Sequence, residues 1–333
     1  MKAIIFDRYG DADVLELGEV AEPIVGDNDV LVAVRAASVN PLDWHFMTGL
    51  PYIARVQFGL RGPKLTRIGA DLAGQVEAVG RNVTRFDPGD EVFGGVGGET
   101  PGHPLPELGS CGEYVAVPEN AVVAKPADVT FAEAAVVPVA AQTALQGLRD
   151  QGCIEPGQHV LINGASGGVG TFAVQLAKWF GAEVTGVCSM NNVELVHSIG
   201  ADHVIDYTTD DFARGGPRYD LMLDNIGNRS LSDCRRVLNR RAVYVASFGL
   251  PENRWFGPAR QLLTMGVLKP FVSQQMVTWV TKPNQDDLLL LQELLATGKV
   301  TPVIDRTYPL VETPDAMRHL AAGHTRGKIA ITV

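Results

Sequence analysis

The chain has 333 residues, 46% of them hydrophobic and 20% charged, with a formal net charge of −10. That length accommodates two domains with sizeable cores. The acidic balance argues against nucleic acid or an anionic membrane surface as a partner, because both require basic patches. The four cysteines, Cys111, Cys153, Cys188 and Cys234, form no CxxC pair, so free thiols in a reducing, cytoplasmic setting are expected.

In chain order, Met1-Lys2-Ala3-Ile4-Ile5-Phe6-Asp7-Arg8 reads as a strand, since an acid and a base end its apolar run too early for a signal peptide. No uninterrupted apolar stretch reaches membrane-spanning length. Asp29 to Ala36 is apolar and β-branched, as a buried strand should be. Gly74 to Gly80, Glu91 to Phe93 after the Asp87-Pro88-Gly89-Asp90 turn, and Glu113 to Val117 add short strands. Short strands separated by turn residues predict a small barrel or sandwich up to about residue 124. The Gly- and Pro-rich segment from Gly94 to Gly112 reads as a surface loop, either a connector or a cover for a site.

Thr130 and Glu133 have capping-box spacing and open an Ala-rich helical stretch that runs through Gln146. From Gln158 onward, strands alternate with helices. Strands are expected at Val160 to Ile162, Glu183 to Cys188, His203 to Asp206, Tyr219 to Asp224, Ala242 to Ser247 and Met276 to Val280. Helices are expected at Val169 to Phe180 and at Val193 to Ile199, which ends at Gly200. Such alternation predicts βαβ units and a parallel sheet covered by helices. A leucine-rich helix from Asp286 to Thr297 follows, and the short strands Pro302 to Tyr308 and Lys328 to Val333 return to the earlier style. The expected architecture is α/β: residues 1–124 and 284–333 form a β-rich barrel or sandwich domain, interrupted by a doubly wound domain over residues 125–283.

Between the first strand and first helix of that second domain stands Ala165-x-Gly167-x-x-Gly170, a variant of the dinucleotide fingerprint. Gly167 lets the backbone approach a pyrophosphate, Gly170 lets helix and strand pack closely, and the helix N-terminus offers N–H groups and a positive dipole end. The acid that binds the ribose hydroxyls of NAD is missing after the second strand, where Cys188-Ser189-Met190-Asn191-Asn192 stands. Ser189 and Asn191 can instead donate to a 2′-phosphate, and Tyr207 can add a hydroxyl, which favours NADPH. No Lys or Arg lies between Lys178 and Arg214, and the alternative for Ser189 and Tyr207 is that they are ordinary turn and strand-end residues. Asp224-Asn225-Ile226-Gly227 and Ser247-Phe248-Gly249 follow the fourth and fifth strands, where the nicotinamide half of a cofactor would lie.

Taken together, several motifs resemble the medium-chain dehydrogenase/reductase superfamily, in its zinc-free quinone oxidoreductase and enone reductase branch. They are Ser38-Val39-Asn40-Pro41-Leu42-Asp43-Trp44, Gly69-Ala70-Asp71-Leu72-Ala73-Gly74, Asp87-Pro88-Gly89-Asp90-Glu91-Val92, Gly164 to Gly170, Gly200-Ala201-Asp202 with Val204-Ile205-Asp206-Tyr207, and Gly327-Lys328. The resemblance implies a GroES-like barrel, the catalytic domain, interrupted by a Rossmann cofactor domain. Zinc-dependent members carry a Cys around the place of Asn40 and a Gly-His-Glu where Gly69-Ala70-Asp71 stands. They also carry a four-cysteine lobe with no counterpart here, so no metal is expected.

Without a Lewis acid, the chemistry that remains is hydride transfer to an acceptor that is already electrophilic, a quinone or the β-carbon of an α,β-unsaturated carbonyl. By resemblance, Asn40, Asp43 and Thr143 lie near the nicotinamide with Gln142 close by, and Ser166, Gly167, Gly168 and Val169 hold the pyrophosphate. Ser189 and Tyr207 face the 2′-phosphate, and Asn225, Phe248 and Gly249 face the ribose and nicotinamide. Arg326, Gly327 and Lys328 approach the cofactor from the C-terminal side. Relatives often have Thr-Arg where this chain has Met190-Asn191, which leaves NADH open as a second cofactor. Tyr52 is the candidate proton donor, against a packed tyrosine with solvent as the donor. Two other readings stand beside the reductase: an NADP-dependent alcohol or aldehyde oxidoreductase, and a cofactor-binding protein without catalysis. Relatives are commonly homodimers, and the apolar segment from Trp255 to Val280 offers either an interface or internal packing.

Overall fold

An eleven-residue strand, Asp29–Val39, is the axis of the first half of the chain. The computed structural model describes residues 1–96, 108–247, 255, 265 and 273–333. The expected loop from Gly94 to Gly112 lies mostly outside these residues, as do Phe248, Gly249 and most of the segment 255–280 named for a dimer interface. The described chain divides into two compact units, Met1–Gln142 with Lys282–Val333, and Thr143–Thr281. Residues 125–142, grouped with the second domain on sequence grounds, thus fall in the first unit.

The strands of the first half are β1 (Lys2–Ile5), β2 (Glu16–Glu19), β3 (Asp29–Val39), β4 (Asp71–Val79), β5 (Glu91–Gly95), β6 (Tyr114–Pro118) and β7 (Val122–Ala124). Those of the second unit are β8 (His159–Asn163), β9 (Glu183–Cys188), β10 (His203–Asp206), β11 (Tyr219–Asp224), β12 (Leu238–Ala246) and β13 (Gln275–Thr278). The last two, β14 (Ile304–Pro309) and β15 (Lys328–Thr332), return to the first unit.

In the first unit, β1 and β2 form an antiparallel pair. The larger sheet has the order β14-β15-β3-β4-β5-β7, with β6 also on β3. The length of β3 explains this branching. Its first half pairs with β6 from Asp29↔Pro118 to Ala33↔Tyr114, and its second half pairs with β15 from Ala36↔Thr332 to Val39↔Ile329. Its other edge carries β4. Val30, Val32 and Val34 alternate inward into a core with Leu72, Val115 and Ile331, the period-two pattern of a sheet with one covered face. The helix Phe131–Ala135 starts at the expected capping box, with Thr130 N–H donating to Glu133 Oε2 at 2.9 Å and Glu133 N–H to Thr130 Oγ1 at 3.2 Å.

The second unit is a six-stranded sheet in the order β10-β9-β8-β11-β12-β13, with every neighbouring pair parallel. Counted along the chain this is 3-2-1-4-5-6, the doubly wound order, with its switch point between β8 and β11. Val160, Leu161 and Ile162 of β8 are fully buried, as a central strand covered on both faces must be. The helix Gly168–Trp179 packs on β8 and β9 and buries Phe172 and Leu176 completely. Each such side chain contributes roughly 1.5–3 kcal/mol of apolar burial. Among the described residues, no helix is long and apolar enough to cross a membrane.

Candidate active site

The turn after β8 is held tightly. Gly164 and Ala165 both donate backbone N–H to Val187 O of β9, at 3.2 and 3.0 Å. Gly164 has φ +81°, a left-handed value that glycine adopts without strain. A Cβ on Gly170 would lie 2.0 Å from Gly164 O, so close packing of helix on turn excludes any side chain there. Gly167 differs: it caps the helix in an extended conformation, and a Cβ there would meet only Gly164 O at 3.5 Å. The space beside Gly167 is therefore open. The first N–H groups of the helix Gly168–Trp179 lack intrahelical acceptors and sit at the positive dipole end.

Beyond β9, Asn192 joins two of the expected site residues. Its Nδ2 donates to Ser166 Oγ at 3.1 Å and to Ser189 Oγ at 3.2 Å, while its Oδ1 is buried and has no partner among the described residues. Sequence reasoning singled out Asn191 and passed over Asn192. The Ser-x-x-Asn spacing ahead of the helix Val193–Ser198 is the signal that could have found it. The neighbouring carboxylate of Asp206 accepts from Thr208 N–H at 3.0 Å and from the backbone of Met190, and these bonds hold it below the ordinary carboxylate range. Tyr207 is exposed beyond β10.

At the end of β11, the buried Asp224 carboxylate organises the next turn. Its Oδ1 accepts from Asn163 Nδ2 at 2.8 Å, Ile226 N–H at 3.1 Å and Gly227 N–H at 2.9 Å, and its Oδ2 accepts from Tyr244 OH at 2.8 Å. Burial and this carboxylate push the Tyr244 phenol far above its usual value, so it remains a donor. The turn so fixed carries Asn225, whose Nδ2 and Oδ1 are both buried without a partner among the described residues. Thr143 Oγ1 and Thr281 Oγ1 lie 2.8 Å apart in the same unit.

The first unit gathers a buried polar cluster where β3, β4 and β15 meet. Asn40 follows β3 and caps the helix Pro41–Thr48. Asp43, in that helix, accepts Asn40 N–H at Oδ2 and Gly69 N–H at Oδ1, each at 2.8 Å. Burial raises its pKa to about 6 despite those two bonds. Asp71 accepts from Ser38 Oγ at 2.6 Å, Asn40 Nδ2 at 2.9 Å and Val139 N–H at 2.8 Å. The Lys328 ammonium donates to Asn40 Oδ1 and, at 3.2 Å, to Val39 O, with Asp71 Oδ2 at 3.5 Å. Burial lowers the Lys328 pKa, and Asp71 and then Asp43 oppose this.

Several expected site residues are thus engaged within the first unit itself. Lys328 turns its ammonium onto Asn40 and Asp71, and Asp43 braces two backbone N–H groups. Gly327 has φ +86° and sits against Val303 O, and Arg326 is exposed. Tyr52 packs its ring under the Arg55 guanidinium, 4.8 Å from the ring centre, and Arg55 also lies over Tyr9 at 4.4 Å. Gln142 Oε1 accepts Asn284 N–H at 3.0 Å. Among the described residues, no group of three or more His, Cys, Asp or Glu side chains could hold a metal ion.

A family profile described as alcohol dehydrogenase GroES-like domain matches residues 26–127, and one described as zinc-binding dehydrogenase matches residues 199–331. The chain is 35% identical to the Mus musculus protein named NAD(P)H oxidoreductase RTN4IP1, mitochondrial, over 100% of this chain and 89% of that protein. It is 34% identical to 2-methylene-furan-3-one reductase of Solanum lycopersicum, over 99% of this chain and 79% of that protein. Among solved structures, the quinone oxidoreductase from Coxiella burnetii matches with a TM-score of 0.85 and 29% identity, covering 100% of this chain and 99% of its own.

Proposed function

The chain belongs to the medium-chain dehydrogenase/reductase superfamily, in its zinc-free quinone oxidoreductase and enone reductase branch, and within it we propose an NADPH-dependent reductase of quinones or α,β-unsaturated carbonyls. NADH is proposed as a second donor. The observation that carries this reading is the carboxyl edge of the parallel sheet. It presents a glycine turn with open space beside Gly167 and buried polar atoms of Asn192 and Asn225 that no group among the described residues satisfies. An orphaned buried polar group costs about 1–3 kcal/mol, and such atoms placed beside a dinucleotide turn fit a ligand that completes them.

A nicotinamide dinucleotide fits these residues. Ser166 to Val169 would hold its pyrophosphate, and Ser189, Asn192 and Tyr207 its adenosine side. Asn225 and Thr143 would hold its nicotinamide side. When bound, the cofactor supplies the hydride. The chain's own contribution is orientation. Asp224 fixes the turn that carries Asn225, Asn192 fixes the hydroxyls of Ser166 and Ser189, and the β8 turn is tied to β9. In the first unit, Lys328 and Asp71 hold the carboxamide of Asn40 in one orientation from both ends. That arrangement supports metal independence, because the position matching a zinc-ligating cysteine is an amide already engaged by a side-chain cation. The proton that completes enone reduction comes from solvent or from Tyr52. A Tyr52→Phe variant that keeps its turnover assigns it to solvent.

The test is transfer of label. Reduction of a small alkenal with NADPH deuterated at the transferring C4 position is expected to place one deuterium on the β-carbon of the product. Cofactor binding with no reduction of any quinone or enone would contradict the proposal. NADP-linked oxidation of simple alcohols in its place would favour the alcohol dehydrogenase reading.

A further inference from the structure

Among the described residues, the buried side-chain polar atoms without partners belong, in the second unit, to Asn192, Asn225 and Trp279, and in the first unit to Ser110 and Gln285. The three residues of the second unit share one property. Each lies just past the carboxyl end of a parallel strand: Asn192 past β9, Asn225 past β11 and Trp279 past β13. In the order β10-β9-β8-β11-β12-β13 these are the second, fourth and sixth strands. The glycine turn leaves β8 between the first two. At about 4.8 Å per strand, the row spans about 19 Å from β9 to β13. Orphaned atoms left by imperfect packing would be scattered over both ends of the strands. These lie along one edge, where ligands of doubly wound sheets bind.

Trp279 extends this row to a strand to which the cofactor reading gives no residue. An indole N–H is a donor only, so its missing partner is an acceptor. The ring is also held in place. A Cβ on Gly147 would come within 2.9 Å of Trp279 Cη2 and 3.0 Å of Cζ2, so the six-membered edge of the indole rests on a position that only glycine leaves open. Two residues further on, Thr281 is tied to Thr143 at 2.8 Å. The segment after β13 is therefore anchored on both sides of an N–H that has no acceptor among the described residues.

We infer that Trp279 is a ligand-reading residue whose indole N–H donates to an uncharged carbonyl oxygen, either that of the nicotinamide carboxamide or that of the acceptor. This rests on the hydride-transfer reading above. The carbonyl is favoured over a phosphate because the phosphate-binding turn lies at β8, three strands away.

The test uses Trp279→Phe, which keeps an aromatic ring against Gly147 and removes the N–H. The dissociation constants of NADPH, NADH and 2′,5′-ADP are measured by calorimetric titration, and the acceptor KM at saturating cofactor. The melting temperature of the unliganded protein is measured alongside. If the nicotinamide is the source, both reduced dinucleotides weaken about 5- to 50-fold while 2′,5′-ADP is unchanged. If the acceptor is the source, dinucleotide binding holds and KM rises by that factor. A folded variant with every constant unchanged overturns the inference and leaves the hydride-transfer reading intact. Failure of the wild-type chain to bind either dinucleotide overturns both. Should Trp279→Phe not fold, Gly147→Ala displaces the ring while leaving the N–H, and the same losses are expected.

Discussion

The Lys328 ammonium donates to the carboxamide oxygen of Asn40 from the last strand of the chain, across 288 positions of sequence. The same carboxamide donates its own hydrogens to Asp71 at 2.9 Å and to Ser38 Oγ at 3.4 Å. Asn40 is therefore fixed on both sides, and β3 and β15 are joined through a buried charge as well as through their backbone ladder.

Replacing Lys328 by Met removes the cation 3.5 Å from Asp71 Oδ2 and the ammonium that donates to Asn40 Oδ1. Removing one partner of a buried ion pair typically costs about 3–5 kcal/mol. Lys328→Met should therefore lower unfolding free energy by that order in a urea titration. Adding Asp71→Asn should restore part of the loss, because the uncompensated charge is then gone. A double variant as unstable as the sum of the singles would refute the pairing.

Asp43 makes stability depend on pH in a definite direction. Its pKa is raised in the folded protein from the usual 3.8 to about 6, so the native state binds the proton more tightly than the unfolded chain. Its stabilising contribution is fully present below pH 4 and is lost as pH rises through 6. At about 1.36 kcal/mol per pH unit, the whole effect is about 3 kcal/mol. Unfolding free energies of the wild type and of Asp43→Asn between pH 4 and 7 isolate it. The wild type should lose stability relative to the variant as pH rises, and parallel curves would sink the assignment.

The two fingerprint glycines should fail in different ways. Gly170→Ala forces a Cβ to 2.0 Å from Gly164 O, so it should destabilise the fold by roughly 3 kcal/mol or more and abolish dinucleotide binding. Gly167→Ala meets only one atom at 3.5 Å and should leave stability within about 1 kcal/mol. If the proposed pyrophosphate approaches this turn, the added methyl group stands in the way and NADPH affinity should fall tenfold or more. Thermal melts paired with binding titrations distinguish the two; normal affinity in Gly167→Ala would argue against a pyrophosphate at this turn.

Asn192→Ala frees the hydroxyls of Ser166 and Ser189 together. If these read the adenosine end, NADPH affinity should drop about tenfold and affinity for NADH less, since only NADPH carries the 2′-phosphate. The ratio of the two dissociation constants is the quantity to follow, and an unchanged ratio would remove Asn192 from cofactor choice.

Much of this was legible in the sequence because it is local. The strand–turn–helix at Val160 to Phe180, the alternation that follows and the return of the tail all depend on short-range patterning. The parallel order β10-β9-β8-β11-β12-β13 follows once those units are recognised. What stayed hidden was mostly contact between distant residues. Nothing near Lys328 shows that its ammonium turns toward Asn40, and nothing near Asn192 shows that it reaches back 26 positions to Ser166. Two signals were present but unread. Asn40 and Asp43 have capping-box spacing, which explains why Asp43 braces a helix start. Ser230 and Asp233 likewise open the helix Leu231–Arg236, with Ser230 Oγ accepting from Asp233 N–H at 3.2 Å. Trp279 reads as the end of a strand in sequence, and only the sheet order places it on the edge shared with the glycine turn.

The proposed chemistry is hydride transfer from NADPH to an electrophilic acceptor without a metal. Steady-state reduction of a panel of small quinones and alkenals by the purified protein, with NADPH and then NADH, before and after exhaustive chelation, tests it most directly. Turnover of at least one acceptor class is expected, at a rate that chelation leaves unchanged. Turnover that disappears on chelation and returns with zinc, or bound cofactor with no acceptor reduced, would contradict it.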